Sequence, residues 1–233
     1  MIKPGKMEQL VLICAATQAE IGILGDIKSF RASGSGYTYR QLNLIPLVTG
    51  VGSVTTVWSL MNYISLNQKP DIAINIGIAG SFSDKYSIGS VLISGSDTFG
   101  DLGIENGVTF KSLWETGLSE DNESLQLLSE VRGANDLRDI GTRLFPAVRA
   151  VTVNTVTGSD ESRLRLVNKF NPDIETMEGA AFYYVCSREG IRSISMRSVS
   201  NKVGSRKRDS WELGTALENL SKGLESFLDL LTE

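Results

Sequence analysis

Three short segments carry side chains able to do chemistry: Thr17-Gln18-Ala19-Glu20, Met177-Glu178-Gly179 and Ser200-Asn201-Lys202. The 233 residues include no histidine. Proton transfer therefore falls to carboxylates, Lys, Tyr or Cys, and Ser-His-Asp, Cys-His and HExxH schemes are excluded. Glu178 opens a stretch rich in small residues. Its two oxygens can accept from two adjacent hydroxyls, as on a sugar; an acidic residue there is equally what the positive end of a helix dipole favours. Thr17-x-x-Glu20 behind an apolar run is a capping-box pattern. The same carboxylate serves as a general base only if its oxygens are divided between the cap and a water.

The elements that must hold these segments are legible as apolar runs. Leu10–Ala16 and Leu42–Val48 read as buried strands. Gly50-Val-Gly52 then opens a helix with Val54, Trp58 and Met61 on one apolar face. Ile72–Ile76 is a strand ending in Gly77-Ile-Ala-Gly80, and Ser90–Ser94, Val148–Asn154 and Ile191–Val199 are further strands. Residues 111–147 are more polar, with one helix near Asn122–Arg132. A final helix carries Leu213, Leu217, Leu220, Leu224, Leu228 and Leu231 as one stripe. Alternating strands and helices predict a three-layer α/β sandwich, a mixed central sheet flanked by helices, as one domain over residues 1–233. Ligands of such folds sit beyond strand carboxyl ends, which is where the three segments fall.

Composition narrows the class. Hydrophobic residues make up 41% and charged ones 21%, enough for a core and too little charge for disorder. Lys plus Arg number 23 against 27 Asp plus Glu, a net charge of -4 that argues against a nucleic-acid partner. No apolar run approaches the roughly 18 residues of a membrane span, and MIKPGKMEQL lacks a signal-peptide core. Cys14 and Cys186, both inside apolar runs, are too few for a disulfide framework and read as core thiols of a reducing cytoplasm.

Taken in order, Ala15–Glu20, Asn75-Ile76-Gly77-Ile78-Ala79-Gly80, Glu175-Thr176-Met177-Glu178-Gly179-Ala180-Ala181 and Ser198–Lys202 resemble the purine branch of the nucleoside phosphorylase/nucleosidase superfamily. The resemblance spans nearly the whole chain. Within that superfamily the sequence is most similar to the futalosine hydrolase family, partly through Phe99-Gly-Asp-Leu-Gly-Ile-Glu105 and Ser200-Asn201 followed by Arg208-Asp209-Ser-Trp211. It implies Met177 and Glu178 on the ribose, Glu20 as general base, and Ile78, Ala79 and Gly80 against the substrate. It implies further that Ser200 orients Asn201, that Phe99 helps build a 5′ pocket, and that Arg208, in Arg206-Lys207-Arg208, meets a 5′-side carboxylate. A solvated basic loop is the alternative for that last segment.

Phosphorylases of the superfamily place an Arg and a Ser where this chain has Asn75 and Ile78, so water rather than phosphate is the expected nucleophile. Nucleosidases that cleave methylthioadenosine carry Asp where Asn201 stands. An amide with two N–H donors complements N7 and O6 of a 6-oxopurine, whereas adenine presents an acceptor and a donor. The expectation is therefore N-glycosidic cleavage of futalosine, releasing hypoxanthine in a menaquinone route. No metal or organic cofactor is implied, and a homodimer or higher homo-oligomer is. The alternatives are a methylthioadenosine/adenosylhomocysteine nucleosidase, a purine nucleoside phosphorylase, and a nucleoside-binding module without turnover.

Overall fold

The computed structural model describes residues 9–107, 109–118, 122–204 and 212–233. The chain opens with β1 (Gln9–Ala15), a short helix α1 (Gln18–Gly22), and the strands β2 (Arg31–Ser33), β3 (Gly36–Tyr39) and β4 (Leu42–Val48). Helix α2 (Ser53–Leu66), β5 (Ile72–Ser81) and β6 (Val91–Phe99) follow. An excursion then holds the hairpin β7 (Gly103–Asn106) and β8 (Thr109–Ser112), with helices α3 (Leu113–Thr116), α4 (Asn122–Ser129) and α5 (Asn135–Thr142). The remainder is β9 (Ala147–Thr152), α6 (Asp160–Phe170), β10 (Ile174–Thr176), α7 (Gly179–Arg188), β11 (Arg192–Lys202) and α8 (Leu213–Leu231).

The main sheet runs β10-β9-β6-β11-β5-β1-β4-β3-β2. It is mixed: β4, β1, β5 and β11 are parallel, while β6 meets β11 antiparallel. β10 lies parallel to β9 and also pairs antiparallel with the end of β5, so the sheet curls back on itself there. Strand alternation divides the core between two helical layers. Leu12 and Cys14 of β1 pack with Leu60 of α2 and Phe182 and Cys186 of α7. Val11, Ile13 and Ala15 pack with Leu220, Leu224 and Phe227 of α8. Helices thus cover both faces, the sandwich expected from the sequence. Burial pushes both thiols up, Cys186 to about 12, so neither is a nucleophile.

Three expectations need correction. The Val54, Trp58 and Met61 face of α2 does not enter the core: these residues are 79%, 70% and 40% exposed, and Thr56 and Leu60 are buried instead. Periodicity marks an apolar face without saying which body covers it. The stripe of α8 starts late, since Leu213 stands exposed while Ala216, Gly223 and Phe227 complete the buried side. Finally, β5, β6 and β11 run beyond their apolar cores: Gly77–Gly80, Phe99 and Ser200-Asn201 lie within strands rather than after them. Ladder pairing, not side-chain hydropathy, carries those ends. Among the described residues no helix is long and apolar enough to cross a membrane.

Candidate active site

The parallel strands β1, β5 and β11 deliver three of the candidate segments to one end of the sheet. At the exit of β1, Thr17 caps α1: its hydroxyl accepts the Glu20 N–H at 3.2 Å. Glu20 Oε2 in turn accepts the Thr17 N–H at 3.0 Å and the Thr17 hydroxyl at 2.7 Å. The capping box is therefore real. Glu20 Oε1, however, reaches across to β5 and accepts the Ile78 N–H at 3.1 Å. Gly77 permits this approach, since a Cβ there would stand 2.7 Å from Oε1. The carboxylate is divided between cap and site, and Oε1 keeps acceptor capacity for a water.

The same point over Gly77 is flanked by Arg197 of β11, 3.7 Å from that Cβ position. Arg197 pairs in register with Gly77 and is 1% exposed. Its Nη1 donates to the carbonyls of Asn75 at 2.9 Å and Met196 at 3.1 Å. Nη2 has no partner among the described residues. Sequence reasoning missed this cation, because it sought one on the strand that carries Asn75 and found none. The overlooked signal is an arginine inside an otherwise uncharged stretch, Ser193–Asn201, four residues before Asn201. Its presence does not make a phosphate site: the Ile78 N–H already serves Glu20, and Glu178 shares the guanidinium's field.

Glu178 is the N-cap residue of α7, yet its side chain does not cap that helix. Its Oε1 accepts instead from the Gly52 N–H at 3.0 Å. Gly52 has φ of 95°, a left-handed geometry suited to glycine, and this aims its amide at the carboxylate. Burial pushes the Glu178 carboxyl up, while Arg197 and the Gly52 N–H hold it down and Glu20 adds a further push. Met177 is half-buried, with its carbonyl facing the Ser53 hydroxyl at 3.5 Å.

At the end of β11 a bulge between Val199 and Asn201 turns Ser200 out of register. Ser200 Oγ donates to Asn201 Oδ1 at 2.8 Å, and Asn201 Nδ2 donates to the Lys202 carbonyl at 3.0 Å. That pair fixes the amide's orientation. It also corrects the expected chemistry, because one of the two N–H donors is already used and one remains for a purine. Gly80, across β5, leaves room for the amide, its would-be Cβ lying 3.2 Å from Nδ2. Ala79 is buried beside it, and its carbonyl lies 3.4 Å from Ser200 Oγ.

Residues 8–233 match the family model described as the Phosphorylase superfamily. The chain belongs to that superfamily. It is 30% identical to a futalosine hydrolase of Acidothermus cellulolyticus, over 92% of this chain and 87% of that one. Among solved structures, it superimposes on a futalosine hydrolase of Helicobacter pylori with a TM-score of 0.77 and 17% identity, covering 95% and 98% of the two chains. A 5′-methylthioadenosine/S-adenosylhomocysteine nucleosidase of Helicobacter pylori gives a TM-score of 0.79 at 18% identity, covering 96% and 99%. At these identities the two solved structures report the shared fold.

Phe99, at the end of β6, is buried in one core cluster with Ala180, Ala181 and Phe182 of α7. Arg208 lies outside the described residues. The acidic residues beside Phe99 are occupied: Asp101 accepts from the backbone and side-chain amides of Asn154 at 2.7 and 3.0 Å, and Glu105 pairs with Arg165 at 3.7 Å. A further buried carboxylate, Glu175, holds both the N–H and the hydroxyl of Thr157, tethering the segment after β9 to β10. Among the described residues no three acidic or Cys side chains gather as metal ligands.

Proposed function

We propose that this chain hydrolyses the N-glycosidic bond of futalosine and releases hypoxanthine, with water as nucleophile. The observation that carries the mechanism is the disposition of two carboxylates around Arg197. Glu178, lightly tethered by Gly52, accepts from the two ribose hydroxyls. Glu20 Oε1, held by Ile78, takes a proton from a water on one face of the sugar. Cleavage develops positive charge on the ribose, which the nearby anions stabilise. The free N–H of Asn201 donates to a 6-oxopurine acceptor as the base departs. The water oxygen bonds to C1′ as the C1′–N9 bond breaks; because an amide supplies no ionisable proton, the purine leaves as its anion and is protonated from solvent, a course that favours the less basic 6-oxopurine over adenine.

The likeness to futalosine hydrolases over most of both chains supports the substrate. The exposed α2 face, beginning beside Gly52, supports a homo-oligomer that covers it, and light scattering on the purified protein measures this. The decisive assay is incubation with futalosine, methylthioadenosine and inosine, each with and without phosphate. Hypoxanthine release from futalosine without phosphate is expected. A strict phosphate requirement with a ribose 1-phosphate product overturns hydrolysis, and preference for methylthioadenosine overturns the substrate.

A further inference from the structure

Behind Glu178, between α7 and the sheet, several buried polar atoms lack a partner among the described residues. Asp97 of β6 is 1% exposed; its Oδ1 accepts the Thr152 hydroxyl at 2.9 Å, and its Oδ2 has no partner among the described residues. Arg197 Nη2 and Ser195 Oγ, both on β11, are in the same condition. Gly179, the first residue of α7, lets Asp97 in, because a Cβ there would lie 2.1 Å from Oδ2.

The backbone of α7's first turn is satisfied from outside the helix, since Glu178 is engaged with Gly52. Thr152 Oγ1 accepts the Ala180 N–H at 2.8 Å, and Thr176 Oγ1 faces the Gly179 N–H at 3.4 Å. The two hydroxyls are 3.1 Å apart. A threonine hydroxyl has one proton and rotates to suit. Asp97 accepts that proton from Thr152, which turns the oxygen's lone pairs toward Ala180 and leaves Thr176 to donate to Thr152. The helix that follows Glu178 thus takes its footing from Asp97.

We infer that Asp97 is a positioning residue for the ribose end of the site: through Thr152 it fixes the first turn of α7, and hence Glu178, and it supplies a buried counter-charge to Arg197. This rests on Glu178 holding the ribose, as proposed above. The charged and titratable groups facing Asp97 are Arg197 of β11 and Glu178 and Tyr183 of α7, with Thr152 and Thr176 as neutral partners. Its segment also borders an open cavity whose charged lining is Glu115, Glu130, Arg149 and Lys169. Burial pushes the Asp97 carboxyl up to about 7, against the Thr152 hydrogen bond and Arg197. The anion, with its stronger hydrogen bond and its favourable place at a helix N-terminus, is the ordering form.

The test compares wild type with Asp97→Asn, which resembles the neutral acid at every pH. On whichever of futalosine, methylthioadenosine and inosine the wild type cleaves, the ratio of kcat/KM values should be near unity at about pH 6 and rise through about 7. It should level off near tenfold or more, the size of losing a hydrogen bond to a charged group. Most of the loss should fall on KM. Thr152→Val should raise KM likewise and move the inflection to higher pH, and Thr152→Ser should restore both; this pair decides the matter if Asp97→Asn fails to fold. A ratio independent of pH, with Thr152→Val retaining the wild-type KM, overturns the inference. Cleavage of methylthioadenosine in place of futalosine overturns the substrate proposal instead, and the same ratio then decides the inference.

Discussion

Replacing Gly77 by alanine tests whether the placement of the Glu20 carboxylate, and not merely its presence, limits turnover. The new methyl would stand 2.7 Å from Glu20 Oε1, whereas ordinary contact begins at 3.4 Å. Oε1 must therefore retreat by roughly 0.7 Å, since overlap is repulsive well before that distance. The Ile78 N–H bond, now 3.1 Å, would stretch beyond hydrogen-bonding range. Arg197, at 3.7 Å from the methyl, stays in ordinary contact and need not move. The obstacle is the end of a flexible side chain, so the fold should absorb the change with little loss of stability. Misplacement of a catalytic group by about 1 Å can cost about 10²-fold, so kcat should fall by about 10- to 100-fold. Nucleoside affinity should change by less than about threefold, because Glu178 and Asn201 are untouched. Hypoxanthine release followed chromatographically gives kcat and KM, and a thermal melt checks the fold. Wild-type kcat in a folded Gly77→Ala protein would refute the role of Glu20.

Three other predictions use different residues. Glu20→Gln should lose about 10²–10⁴ in kcat while still binding nucleoside, the range typical of a removed general base; Thr17→Ala should lower stability by about 1 kcal/mol through its cap and touch the rate less. A calorimetric titration beside a rate assay separates these two. In Asn201→Asp the atom replacing Nδ2 faces the Lys202 carbonyl at 3.0 Å, which disfavours an ionised carboxylate. That variant should gain activity on the 6-amino analogue of futalosine relative to futalosine, most at mildly acid pH, and an unchanged ratio would show that residue 201 does not sense the purine. Finally, because folding raises the Asp97 carboxyl to about 7, the native state binds a proton that the unfolded chain releases between about pH 4 and 7, so this group destabilises as pH rises. The melting temperature of Asp97→Asn relative to wild type should climb over that window and level off above it.

Strands β1, β4, β5, β6, β9 and β11 and helices α2 and α8 were legible because buried strands and amphipathic helices write their periods into the chain, whereas the short strands β2, β3 and β10 and the polar helix α6 were not. Glu20, Glu178 and Asn201 were singled out by residue type and by the family resemblance, since spacing alone left each open to a cap or a turn. Arg197 was not, since nothing local says that it stands beside Gly77; only the parallel β5–β11 register does. Asp97 was hidden for the same reason, its partners coming from β9, α7 and β11. The apolar face of α2 was visible as a pattern, but a helix's own period does not say whether the fold buries that face or leaves it exposed. These omissions share a cause. Buried polar groups are held by neighbours distant in sequence, and a local pattern cannot distinguish a polar residue turned to water from one sealed behind a helix. Asp97 shows what such a group costs and why it persists. Its ionised form burdens the fold, yet that form gives the Thr152 hydroxyl a fixed direction and Arg197 a counter-charge. A neutral isostere should therefore gain stability relative to wild type between about pH 4 and 7 and keep that gain above 7, where it loses activity. That opposed dependence separates a carboxylate kept for the reaction from one that merely packs.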